Sequence, residues 1–76
     1  MNNNQEALIL LGAKLRYLRQ QKGWSLRQMD AHCNIEFSNL GQIEKGKVDI
    51  RFSTIIRLAK VFNIPPRDLF DYPDQE

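Results

Sequence analysis

The sequence has a single cysteine, a single histidine and no long apolar run. Cys33 alone cannot form an intrachain disulfide, and one cysteine with one histidine is too few to build a structural zinc site. The longest apolar run, Ala7–Leu11, is far shorter than the roughly 20 residues that cross a membrane. The first residues, MNNNQE, carry no basic group, so we expect no signal peptide. These absences favour a reducing compartment and a cytoplasmic location.

The residue patterns of common catalytic sites are absent as well. The sequence has no glycine-rich phosphate loop, no cluster with metal-ligand spacing and no nucleophile with a base at a plausible distance. We therefore expect no enzymatic activity, no cofactor and no metal. Cys33 is expected to be a small core side chain, and His32 a surface residue.

Charge is unevenly distributed along the chain. Residues 1–67 hold all 11 Lys and Arg residues and five acids, whereas the nine residues from Asp68 onward hold four acids and no base. A basic body with an acidic tail is typical of a protein that binds a polyanion on one face. A solvated surface with a flexible end explains the same pattern, and charge alone does not separate the two interpretations.

Helical spacing recurs through the chain, and alternating strand patterns are absent. Short helices with short connections predict one compact all-α domain. Gly23 and Gly46 are expected to end helices, and Asn34, which tolerates a left-handed backbone, is expected to form a turn. The five predicted helices run from about Asn4 to Lys22, Ser25 to Cys33, Phe37 to Glu44, Phe52 to Phe62 and Pro65 to Phe70.

The second and third predicted helices are the most informative part of the sequence. Between Ser25 and Gly46 it reads SLRQMDAHCNIEFSNLGQIEKG, which predicts two short helices joined by a tight turn. Leu40 and Ile43 face inward, and the opposite stripe of the third helix has no carboxylate. Such a helix can approach phosphates and place side chains against base edges in the major groove of DNA. The stripe comprises Phe37, Ser38, Gly41, Gln42 and Lys45, with Asn39 at its edge.

From Leu11 to Phe70 the sequence resembles the helix-turn-helix domains of the Cro and phage-repressor type, the XRE family. The most specific segments are LRQQKGWS at residues 18–25, IEKGK at residues 43–47 and TIIRLAKVFNIPPRDLF at residues 54–70. The size is similar to that of small phage repressors and restriction–modification controller proteins. The resemblance implies a compact five-helix bundle of the lambda-repressor type, with helices 2 and 3 as the helix-turn-helix. We assign residues 1–10 to a partly helical extension, 11–70 to the DNA-binding domain and 71–76 to a flexible acidic tail.

The resemblance also implies roles for individual residues. Arg19 is expected to pair with Glu44, which would tie the first helix to the recognition helix. Phe37 is large for a base-contacting position, so it either meets a thymine methyl or packs against the protein. The expected base contacts are Phe37, Ser38 and Gln42, with Asn39 added for its place at the edge of the stripe; the expected backbone contacts are Ser25, Arg27, Lys45 and Lys47.

Some residues depart from the family's pattern. Asp30 stands where a small residue is usual, so its carboxylate must find a donor or face outward. Glu36 replaces the usual Ser or Thr cap and lies unfavourably near DNA unless it caps the third helix or pairs with a base. Ile50 stands where a proline is common, and Asp49 is a candidate cap for the fourth helix.

The last part of the chain is expected to mediate self-association. A domain this small cannot bury all of its apolar side chains, and apolar surface left over is typical of an interface. A homodimer would present two recognition helices to a palindromic operator. The predicted interface comprises Phe62, Ile64, Pro65, Leu69 and Phe70.

The sequence therefore predicts a dimeric, sequence-specific regulator of transcription whose partner is double-stranded DNA. The alternative is an antitoxin or adaptor, in which the same bundle binds a protein and DNA binding is secondary. Asp30, Glu36 and the acidic tail favour this alternative, because carboxylates do not suit a DNA-binding face.

Overall fold

The computed structural model describes residues 3–72, which form four α-helices and one 3-10 helix. No strand occurs within this range, so the all-α prediction is confirmed. The helices are α1 at Asn3–Gln21, α2 at Leu26–Cys33, α3 at Phe37–Glu44, α4 at Phe52–Val61 and the 3-10 helix at Pro66–Phe70. Residues 73–76, most of the segment predicted as an acidic tail, lie outside the described residues.

The prediction of a fifth α-helix is wrong, because the last segment is a 3-10 helix of only five residues. At the two ends of this segment, the Asp68 N–H donates to the Pro65 carbonyl at 2.9 Å and the Asp71 N–H donates to the Asp68 carbonyl at 3.2 Å. Both bonds join residues three apart, which is the spacing of a 3-10 helix.

The turn between α2 and α3 is formed by a left-handed asparagine, as predicted. Asn34 has φ 59° and ψ 39°, and its N–H donates to the Asp30 carbonyl at 2.8 Å. Asn63, two residues after the end of α4, also has a left-handed backbone, with φ 58°. Asparagine tolerates this conformation better than most residues with a Cβ, so it ends both helices at modest cost.

One buried cluster holds the helices together, and every helical segment contributes to it. Leu15, Met29, Leu40, Leu58 and Leu69 are all fully buried, and they come from α1, α2, α3, α4 and the 3-10 helix in turn. α3 therefore cannot turn about its axis without opening this core. The remaining members of the cluster are Leu11, Cys33, Ile35, Ile43, Ala59 and Phe62.

Cys33 is a core side chain, as predicted. Desolvation by burial raises the pKa of its thiol, which keeps the sulfur protonated. A protonated, buried thiol is a poor nucleophile, so its role is packing.

α1 lies close to the backbone of α3 at Gly12. A side-chain carbon at Gly12 would lie 2.6 Å from the Glu44 carbonyl oxygen and would also collide with that of Ile43. Gly46 makes a second close approach, because a Cβ there would lie 2.6 Å from the Ile9 Cα, and its φ is +72°. Two glycines thus let α1 lie directly against the end of α3.

The residues predicted to form a dimer interface divide between core and surface. Phe62 and Leu69 are only 5% and 0% exposed, and the ring of Phe62 lies 5.9 Å from that of Trp24. They belong to the protomer's own core, so the prediction is wrong for these two. Pro65 and Phe70 are exposed and Ile64 is partly buried.

Candidate nucleic-acid interface

α2 begins with a capping box at Ser25. The Ser25 Oγ accepts the Gln28 N–H at 3.1 Å, and the Gln28 Oε1 accepts the Ser25 N–H at 2.7 Å. Two donors of the first turn are thereby satisfied. The Ser25 hydroxyl is exposed and retains its own proton, which it can donate to a phosphate.

α3 begins with a cap supplied by the preceding helix. The Asp30 Oδ2 accepts the Phe37 N–H at 3.0 Å, whereas Glu36, at the N-cap position, makes no side-chain cap. A carboxylate that accepts a helix N-terminal amide is favoured by charge and by the helix dipole. The unusual residue at position 30 thus performs the capping role that position 36 lacks, and Glu36 as a cap is ruled out.

Sequence analysis did not predict that Asp30 caps α3. Asp30 and Glu36 each depart from the family pattern, and the link between the two departures is visible only across the turn. Asp49 is a similar case, since its Oδ1 accepts the N–H of the adjacent Ile50 at 2.9 Å. The N-cap of α4 is Arg51, which makes no side-chain cap. Asp49 therefore stabilises the loop and does not cap α4.

The ring of Phe37 contacts the protein's own Arg27. The guanidinium carbon lies 4.1 Å from the ring centroid, which is the range of a cation–π interaction. Phe37 is partly buried and Arg27 is exposed. The structure thus brings a predicted base contact and a predicted backbone contact together at the start of α3.

The exposed side of α3 carries three short polar side chains. Ser38, Asn39 and Gln42 are exposed, while Leu40 and Ile43 are buried. Lys45 and Lys47 follow the helix and are exposed as well. These polar and basic groups lie on and just beyond one short helix.

Gly41 differs from its expected place on the outward stripe. It is partly buried, and a side-chain carbon there would lie 3.6 Å from the Leu26 Cδ1. Gly41 therefore lies beside α2, at the margin of the exposed face.

A two-pronged ion pair joins α1 to the end of α3. The Arg19 Nε donates to the Glu44 Oε2 at 2.7 Å and the Nη2 to the Oε1 at 3.0 Å. The Nη1 donates to the Trp24 carbonyl at 2.8 Å. The side chains are 13% and 6% exposed, and the hydrogen bond to Glu44 raises the pKa of Arg19. The pair fixes α1, α3 and the start of α2 relative to one another.

Arg16 is a candidate that the sequence reasoning missed. It lines a cleft of about 240 Å³ together with Lys45, Leu26, Gly41 and the Arg19–Glu44 pair. Because Arg19 neutralises Glu44, Arg16 and Lys45 leave this cleft with a net positive charge. One feature of the sequence could have indicated this role for Arg16: it lies one helical turn before Arg19 and so on the same face of α1.

Within residues 3–72, no three His, Cys, Asp or Glu side chains lie close enough together to hold a metal ion. None of the described helices is both long and apolar enough to span a membrane. The polar and basic surface around α3 is the candidate site, because it presents the exposed side chains of Ser38, Asn39, Gln42, Lys45 and Lys47.

Comparison with known proteins agrees with this geometry. A helix-turn-helix family model, HTH_3, matches residues 15–69. The chain belongs to this XRE-type family. Within the matched residues, α2, the turn at Asn34 and α3 have the arrangement of a helix-turn-helix.

Three relatives illustrate the relationship. The crystal structure of the restriction–modification controller protein C.AhdI from Aeromonas hydrophila is 32% identical, with a TM-score of 0.77 over 82% of this chain and 94% of that one. Control protein C.BamHI from Bacillus amyloliquefaciens is 27% identical over 73 residues, or 95% of this chain and 88% of that protein. The HTH-type transcriptional regulator SutR of Escherichia coli strain K12 is 34% identical over 55 residues, which cover 72% of this chain but only 31% of SutR.

Proposed function

We propose that this protein is a sequence-specific regulator of transcription that binds double-stranded DNA with α3 in the major groove. The observation that carries the proposal is the exposed side of α3, where Ser38, Asn39 and Gln42 are exposed above buried Leu40 and Ile43. Family membership supports it, and the relatives C.AhdI and SutR are named as a controller protein and a transcriptional regulator. We place its action in the cytoplasm.

The base contacts fall to the short polar side chains of α3. Gln42 lies one turn after Ser38 on the helix, so both can face one groove. A glutamine amide can donate to N7 and accept from N6 of adenine, which is why Gln42 is the leading base reader. Asn39, beside Ser38, is the third candidate.

The phosphate contacts fall to exposed groups on either side of α3. Lys45 and Lys47 follow the helix, Ser25 lies at the start of α2, and Arg16 shares a cleft with Lys45. The capped N-terminus of α2 adds a favourable dipole for a phosphate. Each neutralised phosphate releases counterions, so binding should weaken steeply as salt rises.

We further propose that the protein binds as a homodimer through the C-terminal surface. Phe70 is 49% exposed and borders an apolar groove of about 200 Å³ that is lined also by Leu8, Leu11, Ile50 and Ile55. Leu11 is buried at the base of the groove, whereas Phe70, the partly buried Leu8, Ile50 and Ile55, and Ile64 and Pro65 nearby in sequence offer an apolar surface to a second copy. A two-fold dimer would set two α3 helices about one DNA turn apart, roughly 10 base pairs.

The decisive experiment is selection of binding sites from random duplex DNA with purified protein. We expect an enriched palindrome with half-sites about 10 base pairs apart. Enrichment of a single half-site would contradict the dimer, and enrichment of no sequence would contradict the proposed function.

A matched pair of lysine variants tests the docking. Lys47→Ala should weaken binding to all sequences alike and lower the salt slope by roughly 0.9. Lys60→Ala removes the same charge from the last turn of α4, where Lys60 is exposed, and should change neither quantity. Equal effects from the two variants would contradict the proposed orientation.

One observation favours a second candidate, the antitoxin or adaptor. Phe52 is 72% exposed at the start of α4, and large exposed apolar side chains are typical of protein-binding sites. Copurification with a second polypeptide at fixed stoichiometry, lost in Phe52→Ser, would support this candidate over the regulator.

A further inference from the structure

We infer that Arg27 is the group that contacts the DNA backbone at the N-terminal end of α3, and that Phe37 positions it without touching DNA. The inference rests on the proposed function. The competing arrangement has the Phe37 ring in contact with a base and Arg27 as a solvated charge. The two arrangements differ in whether the ring acts through Arg27.

The first observation is the cation–π contact itself. The Arg27 guanidinium carbon lies over the Phe37 ring, 4.1 Å from its centroid, so the cation occupies one face of the ring. A ring covered by a cation on one face and partly buried in the protein has little area left for a thymine methyl. Phe37 is therefore better placed to support a side chain than to read a base.

The second observation is what remains free on Arg27. Among the described residues, the side chain of Arg27 has no hydrogen bond or ion pair with the protein, and it is exposed. A phenyl ring accepts no conventional hydrogen bond, so the contact with Phe37 leaves the five N–H donors of the guanidinium without an oxygen partner in the protein. Those donors match the oxygens of a phosphate. The ring of Phe37 already restricts the rotation of the Arg27 side chain, so less conformational entropy is lost when the side chain binds.

The third observation is the place of Arg27 in α2. It lies in the first turn of that helix, where no acidic residue is present. A cation at a helix N-terminus opposes the helix dipole, which locally destabilises α2. A bound phosphate would reverse this penalty, so the placement suits a residue whose partner is an external anion.

The fourth observation is that α2 holds Phe37 at a second point. Asp30, three residues after Arg27 and on the same side of α2, accepts the Phe37 N–H at 3.0 Å. The ring contacts Arg27 while the backbone is bonded to Asp30, so the first residue of α3 is held at two points. Asp30 thereby fixes the platform on which Arg27 rests.

The test is a double-variant cycle measured by DNA binding to the selected site. Arg27→Ala should weaken binding and lower the salt slope by roughly 0.9, as the loss of one phosphate contact requires. Phe37→Leu keeps an apolar side chain but removes the ring, and should weaken binding about two- to fivefold. In the Arg27→Ala background, Phe37→Leu should have no further effect on binding.

Several outcomes would overturn the inference. If Phe37→Leu weakens binding equally with and without Arg27, the ring itself touches DNA. If Arg27→Ala leaves affinity and salt slope unchanged, Arg27 does not touch DNA. If Arg27→Ala abolishes discrimination at a single base pair and leaves the slope intact, Arg27 reads a guanine edge and the phosphate assignment is wrong.

Two further measurements distinguish the positioning role of Phe37 from a loss of folding, and failure of this inference from failure of the proposed function. Phe37→Tyr retains the ring and should bind like the parent protein, whereas a Phe37 variant that merely fails to fold would lose its thermal transition. If Lys47→Ala lowers the slope but Arg27→Ala does not, DNA binding stands and this inference fails. If the parent protein selects no DNA site, the proposed function fails first.

Discussion

The segment α1–α3 and the segment formed by α4 and the 3-10 helix are stabilised in different ways. In the first, directional polar contacts set the geometry: the Arg19–Glu44 pair, the Ser25–Gln28 box and the bond from Asp30 to Phe37. In the second, neither helix start has a side-chain cap, and the buried contacts are apolar. Apolar packing resists separation of the helices, whereas directional polar bonds restrict their angle. We conclude that α1–α3 is built to aim α3, and that the C-terminal segment supports it.

The largest effect is expected from the apolar segment. Leu58 of α4 is fully buried, so Leu58→Ala should lower the free energy of unfolding by about 2–5 kcal/mol through lost contacts and a residual cavity. Denaturant titration followed by circular dichroism measures this, with exposed Lys60→Ala as the control. A loss below about 1 kcal/mol would show that the C-terminal segment adds little to the core.

A somewhat smaller effect is expected when the ion pair is broken. Glu44→Ala leaves the Arg19 guanidinium largely buried without its carboxylate, which should cost about 1.5–3 kcal/mol of stability. Arg19→Ala combined with Glu44→Ala should cost less than the sum of the single changes, because each single variant already loses the pair. Chemical denaturation of the four proteins measures the coupling, and strictly additive losses would mean that the pair does not join α1 to α3.

The close approach of α1 to α3 is tested by two glycines that lie in helices. Gly12→Ala should destabilise the fold by about 1–3 kcal/mol, because the added methyl group collides with backbone carbonyls of Ile43 and Glu44. Gly41→Ala meets only Leu26 at an ordinary distance and should raise stability by up to about 1 kcal/mol through helix propensity. Thermal unfolding of both variants checks the contrast, and equal melting temperatures would remove the steric argument.

The smallest effect is expected at the cap of α3. Asp30→Ala removes the acceptor of the Phe37 N–H and should cost about 0.5–2 kcal/mol. Asp30→Asn keeps an acceptor oxygen and should recover most of that loss. Amide hydrogen exchange at the start of α3 reports the change locally, and if both variants exchange like the parent protein the cap is dispensable.

Much of the helix-turn-helix geometry could be predicted from the sequence. The bounds of α2 and α3 and the left-handed turn at Asn34 follow from residues within one or two turns of the feature they control. Gln42 and Ser38 were predicted to face outward because the period of a helix separates them from Leu40 and Ile43. Their contacts with bases remain predictions that DNA binding must test.

Other features could not be predicted because they depend on which segments meet. Phe62 and Leu69 looked available for an interface, but the packing of Trp24 and the neighbouring helices buries them. Asp30 and Phe37 each looked unusual alone, and their partnership appears only when α2 and α3 come together. In the sequence Arg16 resembles any other surface cation, and only the tertiary structure shows that it shares a cleft with Lys45.

By itself, the sequence determined the helical class, the positions of the turns and the exposed side of α3. Helix periodicity, caps and left-handed residues act over a few neighbouring residues, so they can be read along the chain. Only the tertiary structure decided how α3 is held, because Gly12, Arg19 and Asp30 act on it from other helices. Those contacts depend on how closely segments far apart in sequence approach one another, and local patterns do not encode such distances.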